Sequence, residues 1–151
     1  MTGAQKFWKV LGESGFYKTI GKLHTRLYRL SRGRFGHATG SLTNLLLTTR
    51  GRRSGEPRTC PLCYLRDGET YVLIASNGGN ENHPAWYLNL QTSPRATVEV
   101  GSERVEVEAS TALGDERTRL WKAAVGNNPQ YAMYESITPR RIPVVVLTPL
   151  H

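Results

Sequence analysis

The 151 residues contain no run approaching the ~20 consecutive apolar residues of a membrane span, and the first residues lack the apolar core of a secretion signal. The expectation is therefore a cytoplasmic protein. Cysteine is scarce: Cys60 and Cys63 form a lone CxxC, with no second pair or HxxxH to complete a tetrahedral metal site. The two lie three apart in an extended run, which puts their sulfurs on opposite faces of a strand, so they read as ordinary reduced cysteines, and no metal is expected. GxGxxG, GxxxxGK[ST], GxSxG and HExxH are all missing, which argues against nucleotide-fold, P-loop, serine-triad and zinc-hydrolase chemistry. Acid is nearly absent from the first 58 residues, where twelve Lys or Arg face two Glu; the remaining 93 carry eight basic and ten acidic residues. The whole net charge of +8 thus lies in the N-terminal part, which points to an anionic partner: a nucleic acid, an acidic membrane surface or a small polyanion.

What is present centres on residues 45–64, LLLTTRGRRSGEPRTCPLCY. An apolar, β-branched run meets a turn between Gly51 and Gly55 and continues extended from Pro57 to Leu65, the pattern of a β-hairpin. Arg50, Arg52, Arg53 and Arg58 crowd that turn with only Glu56 against them. Guanidinium forks suit carboxylate and phosphate oxygens, so the turn reads as an anion grip, with a solvated, solubilising turn as the alternative.

N-terminal to it, Phe16, Ile20, Leu23, Leu27 and Leu30 recur at helical spacing, with Lys18, Lys22, Arg26 and Arg29 on the other side. This predicts a basic amphipathic helix over Phe16–Leu30, preceded by a short helical piece near Phe7–Leu11. It either packs on the domain with its cations in water or rests on an anionic membrane. The glycines of SRGRFGHATG mark a link, dividing the chain into a helical segment 1–38 and a domain 39–151.

Downstream, Asp67-Gly68 turns into a strand Thr70–Ala75, which runs into Ser76-Asn77-Gly78-Gly79, where glycines let backbone N–H groups approach an anion. A helix Pro84–Leu90 follows, with Asn82 or His83 as cap and Trp86 and Asn89 on one face; Trp86 is either core or site. Strands from Pro94 and from Glu103 alternate apolar and polar residues, which places one face in water. A helix from Asp115 stopped by Gly126, a tyrosine-rich loop 128–137 and a strand Ile142–Leu147 buried on both faces complete the chain. About six antiparallel strands with two or three helices make an α+β protein built on a small β-barrel whose mouth suits a ligand.

Three separated motifs, LLLTTRGRRSG.PR..PL.YL.DG, ASNGG....PAWYLNL...P and IP.VVL.P, closely resemble the deazaflavin-dependent nitroreductases of actinobacteria over residues 40–150. The resemblance implies a mainly antiparallel split β-barrel related to FMN-binding barrels. It also implies coenzyme F(420), an 8-hydroxy-5-deazaflavin whose tail carries a phosphate and an oligoglutamate. By carry-over, Arg52 and Arg53, then Arg50 and Arg58, would meet the tail. Ser76, Asn77, Gly78 and Gly79 would line the phosphate and ring edge, and Trp86 and Asn89 would stand beside the cofactor. Asn77 replaces a lysine common in the family. Tyr131 and Tyr134 match pocket tyrosines, whereas Asn128 and Ile137 replace a tyrosine and a tryptophan of a nitroimidazole-activating member. The implied function is hydride transfer to a quinone (menaquinone-like) or nitro acceptor, with Tyr134, Tyr131 or Ser76 supplying a proton. The lipid-soluble acceptor gives the basic helix a role at the inner face of the membrane. Two other classes remain: a barrel binding FMN or another ligand, for which four arginines are excessive, and a nucleic-acid module, which lacks aromatics interleaved with the basic loop.

Overall fold

The computed structural model describes residues 15–30, 38–39 and 42–151. The short helical piece expected near Phe7–Leu11 and most of the glycine-rich link lie outside them. Eight antiparallel strands are present: β1 Ala38–Thr39, β2 Leu42–Arg50, β3 Pro57–Cys63, β4 Leu65–Asp67, β5 Thr70–Ile74, β6 Arg95–Val100, β7 Glu103–Thr111 and β8 Val144–Pro149. Pairing runs β1-β2-β6-β7-β8-β5-β4, with β3 on the other edge of β2. β3 and β4 are consecutive pieces of one extended segment broken at Tyr64; the first pairs with β2 and the second with β5. Through this shared segment the sheet curls back on itself as a barrel.

Alternation along the strands sorts side chains into two cores. Leu45, Leu47, Tyr71, Leu73, Val98, Val107, Val145 and Leu147 fill the interior, and helix α2 (Ala85–Thr92) adds Trp86, Tyr87 and Leu90 to it. On the outer face Val72, Ile74, Val144 and Val146 meet Leu120 and Ala124 of α3 (Gly114–Asn127) and Tyr131 of α4 (Gln130–Ile137). Val144–Leu147 of β8 form an unbroken apolar run because both faces of that stretch are covered.

Three expectations are corrected. Residues 130–137 form a helix rather than a loop: Asn128-Pro129 breaks α3, yet Asn128 Oδ1 accepts the Gln130 N–H at 3.2 Å and so starts α4. Gly126 lies inside α3 and does not stop it. The outer face of β6 is not in water: Thr97 is buried, and Glu99 is half-covered by α1 (Gly15–Leu30). That helix is anchored by Tyr28, whose hydroxyl accepts the Gly101 N–H at 2.6 Å and donates to the Glu99 carbonyl at 3.3 Å, and by an Arg29–Glu99 ion pair at 2.9 Å. Leu23, Leu27 and Leu30, expected on the apolar stripe, are 58%, 37% and 76% exposed. Apolar periodicity could not show this, because the Tyr28 hydroxyl and the Arg29 guanidinium make polar contacts that no apolar pattern reveals.

Candidate active site

The basic turn closes tightly, Gly51 N–H to the Glu56 carbonyl and Gly55 N–H to the Gly51 carbonyl, both at 2.8 Å. Gly51 has no room for a Cβ, which would meet Ser54 Oγ at 2.9 Å. Ser54 Oγ is spent within the turn, accepting from Glu56 N at 3.1 Å and Arg58 Nη2 at 3.3 Å. Arg50, Arg52, Arg53 and Arg58 are all exposed, and among the described residues no carboxylate forms an ion pair with any of them.

Asn89 ties this turn to α2. It is only 3% exposed; its Oδ1 accepts from the Arg52 backbone N–H at 3.1 Å and from Arg52 Nη1 at 3.3 Å, while its Nδ2 donates to Thr49 Oγ1 at 3.0 Å. These side-chain hydrogen bonds hold Arg52 and Thr49 against α2. Trp86 is 9% exposed and packs edge-on to Tyr87 at a centroid distance of 6.3 Å, so its bulk belongs to the barrel core.

The second candidate element is the connection between β5 and α2. Asn77, Gly78 and Gly79 all have positive φ (49°, 62° and 80°), a left-handed run that asparagine tolerates and glycine adopts freely. Asn77 therefore suits its backbone, and its Nδ2 braces the loop by donating to the Asn82 carbonyl at 3.0 Å. Helix α4 lies on this loop: a Cβ on Gly79 would stand 2.6 Å from Ile137 Cδ1 and 3.4 Å from Tyr134 Cα. Helix α2 starts after Pro84 with no side-chain cap, correcting the expected Asn82 or His83 cap. His83 instead places Nδ1 3.0 Å from Arg140 Nη1. Arg140, which also donates to loop carbonyls, is the residue sequence reasoning missed. An arginine pair ahead of a buried strand carries no motif that would reveal it.

The two tyrosines separate in character. Tyr131 is buried in the outer core, and burial pushes its phenol up to about 12, which keeps the proton on it. Tyr134 is half-exposed, its hydroxyl 3.3 Å from Gln130 Oε1, with its backbone against Gly79. Ser76 is buried at the start of the loop. Cys60, pushed up to about 12 by burial, and Cys63, which donates to Asn44 Oδ1 at 3.1 Å, are unbridged strand cysteines. No metal-ligand cluster occurs among the described residues.

The arrangement suits a ligand that carries anionic groups. Unneutralised guanidiniums lie beside the Asn89 end of α2, and a left-handed amide loop capped by Ile137 and Tyr134 lies at its start. Comparisons with known proteins agree. Residues 20–149 match the model of the F(420)H(2)-dependent quinone reductase family. An F(420)H(2)-dependent quinone reductase of Mycobacterium tuberculosis is 42% identical over 131 residues, 84% of this chain and 88% of that protein. The solved structure of an F(420)H(2)-dependent reductase, FDR-A, superimposes with a TM-score of 0.64 at 37% identity, covering 69% of this chain and 92% of that one. A second, described as a domain-swapped dimer, gives 0.67 at 31% identity over 83% and 96%. The fold is accordingly the split barrel of the FMN-binding type. The chain belongs to the F(420)H(2)-dependent quinone reductase family, and its cofactor is coenzyme F(420).

Proposed function

We propose that this chain reduces a menaquinone-like quinone at the mouth of the barrel, using the reduced coenzyme as hydride donor. The observation that carries the reading is the cluster Arg50, Arg52, Arg53 and Arg58, unopposed by carboxylates and held to α2 through Asn89. Guanidiniums without carboxylate partners among the described residues, on a turn rigidified by backbone bonds, suit a multiply charged phosphate and glutamate tail. When bound, the coenzyme supplies two electrons as a hydride from carbon 5 of its ring, so no protein nucleophile is needed.

The protein's share is then binding, orientation and proton supply. Arg52 and Arg53 hold the tail, with Arg50 and Arg58 adding to the local field. The amides of Ser76 to Gly78 would face the phosphate, the Gly79 N–H being held by the Ser76 carbonyl at 2.9 Å, and Trp86 would border the ring. Tyr134, half-exposed over Gly79, is placed to pass a proton from solvent to the acceptor oxygen, whereas Tyr131, held protonated in the outer core, shapes the wall behind it. The Ser76 hydroxyl is the second donor on the loop side. Ile137 fills the space against Gly79 and narrows the acceptor pocket.

The same two-electron chemistry reaches nitro groups, so a nitroimidazole belongs in the same assay. Anaerobic oxidation of the reduced coenzyme by menadione is the test: turnover is expected with the quinone and slower turnover with the nitro compound. Absence of quinone turnover by folded protein would overturn the assignment.

Exposure of Leu23, Leu27 and Leu30, flanked by exposed Lys22 and Arg26, fits α1 for the surface of an anionic bilayer at the inner face of the membrane, where a lipid-soluble quinone resides. No helix among the described residues is long and apolar enough to cross a membrane. Sedimentation with anionic and neutral liposomes should show binding to the former only, and loss of it in a Leu23→Ser, Leu27→Ser, Leu30→Ser variant. Equal sedimentation of both proteins would remove this role.

A further inference from the structure

The loop that offers its amides to the ligand side is gripped from behind by one cation. Arg140 Nε donates to the Asn80 carbonyl at 3.0 Å, and Nη2 donates to the carbonyls of Ala75 at 3.1 Å and Ser76 at 2.9 Å. Nη1 lies 3.0 Å from His83 Nδ1. A guanidinium can only donate, so Nδ1 must accept, and His83 is the neutral tautomer with its proton on Nε2. Thr138 Oγ1 adds a bond to the same Asn80 carbonyl at 3.2 Å. Among the described residues no carboxylate forms an ion pair with Arg140. Desolvation, and then the charge of Arg140, hold the His83 imidazole below the usual histidine range.

No peptide bond here is cis, so a carbonyl turned toward Arg140 sends the N–H of its own peptide to the opposite side. For the carbonyls of Ala75 and Ser76, those N–H groups belong to Ser76 and Asn77. A carbonyl that accepts from a cation is polarised, which strengthens its amide as a donor. We propose that Arg140 is the positioning residue of this loop: without touching the ligand, it aims and polarises the Ser76 and Asn77 amides toward the phosphate of the coenzyme. The ligand's identity rests on the function proposed above; the clamp itself does not.

The test uses full-length protein with Arg140→Met and Arg140→Lys, read by Trp86 fluorescence against the intact coenzyme and against a deazaflavin lacking phosphate and tail. Arg140→Met should weaken the intact coenzyme about tenfold or more, the scale of a charge-assisted hydrogen bond, and the phosphate-free form less than about twofold. Arg140→Lys should recover only part, because one ammonium cannot span three carbonyls and an imidazole. Wild-type affinity in either folded variant, or equal loss of both ligands, overturns the proposal; if the Met variant does not fold, the Lys variant decides. A second readout needs no coenzyme. In NMR spectra, inorganic phosphate should shift the Ser76 and Asn77 amides of the wild type clearly more than those of Arg140→Lys, and the His83 pKa should rise in Arg140→Met. Phosphate shifts alike in both proteins overturn the clamp. Phosphate shifts clearly larger in the wild type, with no coenzyme binding, uphold the clamp and sink the ligand assignment instead.

Discussion

The basic turn 50–58 and the loop 75–83 offer positive potential by opposite means. The turn displays four exposed guanidiniums and owes its shape to glycine and to backbone bonds. The loop shows no cation of its own; its positive side is peptide N–H, held by an arginine 57 to 65 residues away in the chain. Charge on a flexible exposed arm gives long-range attraction that salt weakens, whereas oriented dipoles act at short range and depend on geometry. On the proposed function the two elements would divide the work, one gathering the tail and the other orienting the phosphate and ring.

The largest expected effect comes from removing the attraction. Arg52→Ala with Arg53→Ala should weaken coenzyme binding by about 100-fold at low salt, two charge-assisted contacts at about 1.5 kcal/mol each, and the loss should shrink as salt rises. Titration at two ionic strengths checks this; a salt-independent loss would mean that the turn acts by shape. Gly79→Ala attacks the geometry instead. It forces a Cβ onto Ile137 and a side chain into a left-handed backbone, costing about 1–3 kcal/mol of stability, and calorimetry should show the loss even without ligand. Asn89→Ala links the two elements: it strands the Thr49 hydroxyl and the Arg52 amide, with about 1–3 kcal/mol lost in denaturant melts and a parallel loss of coenzyme affinity.

A pH effect follows from His83. Its folded-state pKa lies below the ordinary 6.5, so the unfolded chain binds the proton first as pH falls. The stability of the fold is full above about 6.5 and declines as pH drops through that value toward the lower folded pKa. Replacing His83 by Gln should flatten that part of the stability profile. The smallest effect belongs to the Asp67–Arg119 pair, bidentate at 2.9 Å but solvent-exposed; Arg119→Ala should leave both melting temperature and coenzyme affinity within error.

How legible each region was follows from the same contrast. The turn could be read directly, because arginine spacing and flanking strands are local signals. The double-sided burial of β8 was equally plain from its unbroken Val-Val-Val-Leu run. Non-local features were hidden. Nothing near residue 140 shows that its guanidinium folds back onto the 75–83 loop, or that His83 serves as its acceptor rather than as a helix cap. Tyr28 and Arg29 tie α1 to β6 by polar contacts, while Leu23, Leu27 and Leu30 of the apolar stripe are exposed. The α4 helix was obscured because Asn128-Pro129 signals a break whether or not a new helix follows it.

The central claim is that both elements grip one polyanionic deazaflavin whose ring lies beside the indole of Trp86. Titrating tryptophan fluorescence with coenzyme F(420), with its tail-free core and with FMN tests it most directly. The account predicts quenching by all that bind, with the intact coenzyme at least tenfold tighter than either of the others and its advantage eroding with salt. FMN binding as tightly as the intact coenzyme, or no response to the coenzyme at all, would contradict it.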